Sequence, residues 1–239
     1  MAANPIPVAA RPKAVLFDLF HTLVSVPPRA LAGEQSVPEI LGLPDDEWHR
    51  RYYDDDVLGR CTGRVTNSVD AMRLVTHSID PTVSEARIIA AVECRRRRFE
   101  AGLFGIEDGM LNALDRLRAA GIRTALVSDA GADDVESYPR SPLCGRLDAV
   151  VFSYQVGVRK PDARIYQRAL DEVAVAPADA IFVGDGGSDE HRGARALGMK
   201  TVLVTRLLGR WWPEAIADRR GRVDWAFDDV SGFVEALGL

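Results

Sequence analysis

Cysteine is scarce in this sequence: Cys61, Cys94 and Cys144 are scattered through 239 residues. An odd, dispersed set excludes a disulfide framework, and there is no CxxC pair to hold a metal. The four histidines, His21, His49, His77 and His191, share no ligand spacing, which argues against zinc. No apolar run is long enough to span a bilayer. The opening stretch carries Pro5, Pro7 and Pro12 and lacks the apolar segment of a secretory signal. Neither sign of charge dominates, with 30 Lys and Arg against 35 Asp and Glu, so the bulk charge points to neither nucleic acid nor membrane. There is no internal repeat and no low-complexity tract. What remains is a chain of ordinary composition, 47% hydrophobic and 27% charged. It is sized for one large domain, or a core with a small second domain. The expectation is a cytoplasmic enzyme, monomeric or homodimeric, acting on a small molecule.

What is there is an alternation. Lys13 to Phe17 (KAVLF) reads as a short buried strand. The next strand is far away, at Arg123 to Ser128 (RTALVS). Before it, Asp108 to Ala120 has helical spacing at Met110, Leu111, Leu114 and Leu117, and Gly121 closes it. Strands then follow at Asp148 to Phe152, Ala180 to Val183, Thr201 to Val204 and Asp224 to Phe227. Helices fall at Asp162 to Val173, opened by Pro161, and at Ser188 to Leu197, closed by Gly198. Solid apolar strands alternating with helices predict a parallel sheet covered on both faces. The stretch from Val24 to Glu100 is different: it is poor in strands, and Ser68 to His77 and Ser84 to Glu100 look helical. The expected fold is therefore α/β, a Rossmann-like three-layer core with a parallel sheet (residues 1–23 and 101–239) and an inserted helical cap (residues 24–100). Arg95 to Arg98 form the one charge run, expected to be a solvated helix face.

Ligands of such sheets bind at the carboxyl ends of the strands. The residues just after the strands are Asp18, then Ser128 and Asp129, then Ser153, then Asp185. With FDLFHTL at Phe17 to Leu23, LVSDA around Ser128, VRKPDARIY around Lys160 and IFVGDGGSDEHRGARALGM around Asp185, the chain resembles the haloacid dehalogenase-like hydrolase superfamily. The resemblance runs from Val15 to Val204. The last motif is the most specific of the four.

The resemblance implies that Asp18 is a nucleophile, a carboxylate that splits one difficult displacement into two easier ones. Ser128 and Lys160 complete the catalytic set. Ser128 donates its hydroxyl to an anion, and Lys160 balances the charge of Asp18 and substrate. Thr22, Asp129 and Arg50 are candidate substrate-binding residues; Arg50, or Arg51 beside it, stands in EWHRRYY at a plausible distance after Asp18 for the cap arginine that dehalogenases of the resembled family use. Asp129 replaces an expected asparagine and would repel a phosphate unless it points away. Mg²⁺ is the implied cofactor, held by Asp18, the backbone carbonyl of Phe20, Asp185 and Glu190, with Asp189 the near alternative to Glu190. Trp48, Tyr52 and Tyr53 stand either at the entrance or in the packing of the cap, and Trp211 and Trp212 in local packing or at a partner surface.

Phe20 is the departure. In phosphatases of the resembled family the residue two after the nucleophile is a second aspartate, the general acid and base, whose help is worth roughly 10²–10⁴-fold. Phenylalanine carries no proton. Three readings follow from the resemblance. The first is Mg²⁺-dependent hydrolysis of a small phosphorylated, anionic metabolite. The second is 2-haloacid dehalogenation, in which halide leaves unprotonated and no metal is needed, and whose enzymes lack the carboxylate matching Asp185. The third is a catalytically impaired phospholigand-binding or interaction protein. Retention of Asp185 ranks the first reading highest.

Overall fold

A computed structural model describes residues 11–26, 33–54 and 59–239. The first strand, β1 (Ala14–Phe17), is wholly buried. After it come helices α1 (Val37–Leu41), α2 (Asp45–Tyr52), α3 (Ser68–Ile79) and the long α4 (Glu85–Phe104). Then follow α5 (Asp108–Ala119), β2 (Arg123–Ser128), β3 (Ala149–Phe152), the single turn α6 (Ser153–Val156), α7 (Ala163–Val173) and β4 (Ala180–Gly184). The chain ends with α8 (Glu190–Ala196), β5 (Lys200–Val204), α9 (Arg206–Trp211), α10 (Ile216–Arg220), β6 (Trp225–Phe227) and α11 (Val230–Ala236). Among the described residues no helix is long and apolar enough to cross a membrane.

Among the described residues six strands, all parallel, lie in the order β3-β2-β1-β4-β5-β6. This is the Rossmann-like order, and its connections reverse direction between β1 and β4. The register matters for the site. Phe17 lies opposite Val183, and the Asp18 amide continues the ladder to the Val183 carbonyl at 2.9 Å. Asp18 and the Gly184-Asp185 step therefore leave the sheet side by side, at the switch point where such folds form their crevice.

One face of the sheet is packed by Leu114, Leu117, Phe233 and Val234 from α5 and α11, the other by Ile165, Tyr166, Ala169 and Leu170 of α7. That spacing on α7 is the single apolar stripe an amphipathic helix needs. The Asp162 carboxylate caps it by accepting from the Arg164 amide. The expected Asp162 start thus shifts by one: Asp162 is the cap, and Lys160-Pro161, a cis peptide, belongs to the loop before it.

The helices between β1 and β2 have a core of their own, built on Val37, Leu41, Trp48, Tyr52, Met72, Val75, Ile88 and Ala91. Trp48 and Tyr52 stack at 4.7 Å inside it, while Tyr53 is exposed. The arginine run is not a solvated face. Arg95 and Arg98 are buried, at 2% and 8% exposure, and Arg97 faces water. Burial follows from helix period: positions 95 and 98 share the side of α4 that carries Phe99 and Gly102. There Arg95 and the neighbouring Arg60 meet Asp133 and Asp134, which follow β2.

Candidate active site

Asp18 leaves β1 into a tight turn. The amides of Leu23 and Val24 both return to the Leu19 carbonyl, and Phe20 pairs with Val24 in a single bridge. This turn folds Thr22 back so that its hydroxyl donates to Asp18 Oδ2 at 2.9 Å. Lys160 Nζ donates to Asp18 Oδ1 at 2.5 Å and to Glu190 Oε2 at 2.6 Å. All three side chains are buried. Glu190 Oε1 accepts from the Gly186 amide at 2.7 Å. Its carboxylate lies so close over the end of β4 that a Cβ on Gly184 would sit 2.0 Å from Oε1. Glycine is required there for steric reasons, and so is Gly193, where a Cβ would meet the Pro161 carbonyl at 2.6 Å. The two glycines let α8 and the Lys160 loop close on each other.

Asp185 completes an acidic triad. One carboxylate oxygen each from Asp18, Asp185 and Glu190 lies within 4.8 Å of the others, and all three residues are buried. Burial raises the pKa of Asp18 above the usual carboxylate range; Lys160 opposes this, and the charge of Asp185 adds to it. Glu190 is raised as well, by burial first, with Lys160 again opposing. Burial disfavours charge on Lys160, but Asp18 and Glu190 outweigh it and hold the ammonium firmly protonated.

Asp189, the near alternative, is exposed and pairs with Arg192 at 3.1 Å. Asp129 does turn its charge to use: Oδ1 accepts from the Lys160 amide at 2.9 Å, and Oδ2 lies 3.6 Å from Arg159 Nε. It positions the lysine loop. Ser128 is fully buried, and its hydroxyl has no hydrogen-bond partner among the described residues. A buried orphan donor beside such a crevice is free for an anion. Arg50 is not brought here; its side chain is 69% exposed on α2 and reaches Glu47 at 3.9 Å. Ser153 is absorbed by structure, accepting from the Ala130 amide and donating to its carbonyl.

Phe20 borders the crevice, its ring edge-on to Phe99 of α4 at 5.3 Å. The cleft over the triad, about 410 Å³, is also lined by His21, Ser188, Trp212, Glu214 and Arg219. Sequence reading missed these. His21 adopts φ 64 and sets its ring edge-on to Trp212 at 4.8 Å; burial lowers its pKa. Arg219 Nη1 donates to Asp185 Oδ2 and to the Asp185 carbonyl, each at 2.8 Å. The one signal that could have found Trp212 and Arg219 is position. They follow β5, and the carboxyl-end rule applies to that strand as to the others.

The arrangement is a Rossmann-like α/β core with a buried carboxylate, lysine and acidic pair at its switch point. The model of the haloacid dehalogenase-like hydrolase family matches residues 12–198. The chain belongs to that family. It is 25% identical over 198 residues to (S)-2-haloacid dehalogenase 1 of Pseudomonas sp. (strain CBS-3), covering 82% of this chain and 85% of that one. It is 37% identical over 109 residues to the phosphoserine phosphatase of Thermus thermophilus, covering 45% of this chain and 43% of that one. Its fold matches the crystal structure of 2-haloacid dehalogenase from Pseudomonas syringae pv. Tomato DC3000 with a TM-score of 0.65 at 21% identity, covering 94% and 97% of the two chains. The relatives thus include both dehalogenases and phosphatases. The chain is a hydrolase of this family.

Proposed function

We propose that the reaction is Mg²⁺-dependent hydrolysis of a small phosphorylated, anionic metabolite through an aspartyl-phosphate on Asp18, inside the cell. The acidic triad carries this reading. Burial first, and then the charge of Asp185, oppose ionisation of Asp18, with Glu190 in the same buried group, and a nucleophilic carboxylate must be ionised to attack. A hard oxygen donor set of this kind fits Mg²⁺, with Asp18, Asp185, Glu190 and the Phe20 carbonyl as its holders. When bound, the ion supplies positive charge to the attacked group and to the triad.

The protein's own groups do the rest. Thr22 and Lys160 fix both oxygens of Asp18, so attack starts from one orientation. The Asp18 carboxylate adds to phosphorus as the bond to the leaving oxygen breaks. Water then attacks phosphorus, inorganic phosphate leaves, and the Asp18 carboxylate is restored. Lys160 and the Ser128 hydroxyl hold the transferred group. The helical insert, with Phe99 against Phe20, acts as the cap that limits water. Phe20 offers no proton to the leaving oxygen, so good leaving groups such as acyl and aryl phosphates are the favoured class.

A second reading is 2-haloacid dehalogenation, in which Asp18 displaces halide from carbon. It is supported by Phe20, since halide leaves without a proton, and by similarity to a dehalogenase across most of the chain. Asp185 counts against it, although Arg219 offsets part of that charge. A paired assay separates the two: phosphate release with and without Mg²⁺, beside halide release from 2-haloacids. Metal-dependent phosphate release is the expected result; metal-free halide release establishes the second reading instead.

A further inference from the structure

The acid that closes the triad is already held by a cation of the chain. Arg219 makes two contacts with Asp185, at 2.8 Å to a carboxylate oxygen and 2.8 Å to the carbonyl. The loop is shaped to receive it. Gly186 has φ +88, and a Cβ there would come within 2.9 Å of Arg219 Cδ, so the arginine stem lies directly across the glycine. The guanidinium borders the cleft and keeps 24% of its side-chain surface exposed. It sits on α10, a helix of five residues, too short to hold itself rigid without packing.

A guanidinium cannot lose its charge at any physiological pH, so only exchange of partners can remove it from Asp185. A divalent ion at the triad needs the same carboxylate, and two cations on one carboxylate repel each other. We propose that Arg219 is a tethered competitor of the metal: it occupies Asp185 when no ion is bound and must yield it for the ion to bind, which sets the concentration at which the triad fills. The proposal rests on the metal reading given above. Arg219 acts through Asp185 and is a positioning residue.

The test is Mg²⁺ binding by titration calorimetry on the chelator-treated full chain, wild type beside Arg219→Met. Methionine keeps an unbranched stem for the Gly186 surface and removes the charge. The dissociation constant should fall about tenfold in the variant, the size set by loss of a charge-assisted hydrogen bond competing for the ligand. Arg219→Lys, which keeps a cation but not the double contact, should give a smaller gain. Binding seen only in Arg219→Met also supports the proposal, while removing Mg²⁺ dependence from the native reaction. Equal or weaker binding in the variant overturns the proposal and leaves the metal reading standing. Binding in neither protein overturns both. Circular dichroism checks that the variant is folded; if Arg219→Met is not, Arg219→Lys carries the test, and a constant unchanged or raised there overturns the proposal.

Discussion

Two buried charge clusters, one involving residues that follow β2 and one at the ends of β1 and β4, are built on opposite principles. At the seam between the helical insert and the core, Arg60 and Arg95 face Asp133 and Asp134, two cations against two acids. Tyr52 lies between the guanidinium groups, 5.1 Å from Arg60 and 5.0 Å from Arg95, and donates to Asp133 Oδ2 at 3.3 Å. At the crevice, Asp18, Asp185 and Glu190 face Lys160 and Arg219, three acids against two cations. The balanced cluster holds Asp134 well below the ordinary carboxylate range, to about 2, because the two arginines outweigh its burial. In the crevice burial first, with repulsion among the acids added to it, drives Asp18 and Glu190 the other way against Lys160. The balanced cluster ties the insert to the core; the excess of acid in the crevice is what the proposed cation would offset.

Asp18→Asn breaks the comparison most sharply. It removes the proposed nucleophile but keeps the shape, and turnover should fall on the order of 10⁴-fold or more with little change in melting temperature. Steady-state kinetics and a thermal melt check both halves. If turnover survives, Asp18 is not the nucleophile.

At the seam the expected loss is in stability. Asp134→Ala leaves two arginines buried with half their partners, which costs about 3–5 kcal/mol, a fall of roughly 6–20 °C in melting temperature at this chain length. The native seam also responds to acid. A folded pKa near 2 against 3.8 unfolded means the stabilisation is present above pH 3.8 and lost as pH falls towards 2. The amount is on the order of 2 kcal/mol. Asp134→Asn should flatten that part of the stability-pH curve, read from denaturant midpoints. A seam indifferent to both changes would not be a latch.

Phe20→Asp tests what the crevice lacks. An acid at this position should raise turnover of alkyl phosphates relative to aryl phosphates by at least about tenfold, within the range general acid help supplies. Loss of the ring from Phe99 limits the gain. An unchanged ratio would mean that another group already supplies the proton. Arg50→Ala is the smallest effect: an exposed helix residue outside both clusters should leave kinetics unchanged and shift stability by no more than about 0.5 kcal/mol.

Legibility in the sequence followed the same divide. The strands were readable because buried parallel strands are continuous apolar runs; Asp18 and Asp185 follow strands and Glu190 opens α8, while Lys160, in the loop before α7, was legible only through its motif. Of Asp189 and Glu190, only Glu190 lies buried over Gly184 beside Asp18 and Asp185; Asp189 is exposed. Arg95 and Arg98 were misjudged because a run of four like charges looks solvated until an acidic pair on another element is known to cover one side. Asp133 and Asp134, which pair with Arg95, lie 38 residues or more from it, and no local pattern connects them. Arg219 was hard to read for a similar reason: its partner, Asp185, is 34 positions away, and Arg219 itself lies beyond the last matched motif, so only its place after β5 points to it.

The central claim is that the crevice's surplus of acid exists to hold a divalent ion beside an attacking Asp18. The most direct test is a crystal structure of the protein grown with Mg²⁺ and beryllium fluoride, a mimic of the aspartyl-phosphate. The account predicts fluoroberyllate on Asp18, an ion held by Asp18, Asp185, Glu190 and the Phe20 carbonyl, and Arg219 drawn off Asp185. A crystal with Asp18 unmodified, no ion among the three acids and Arg219 still seated on Asp185 would contradict it.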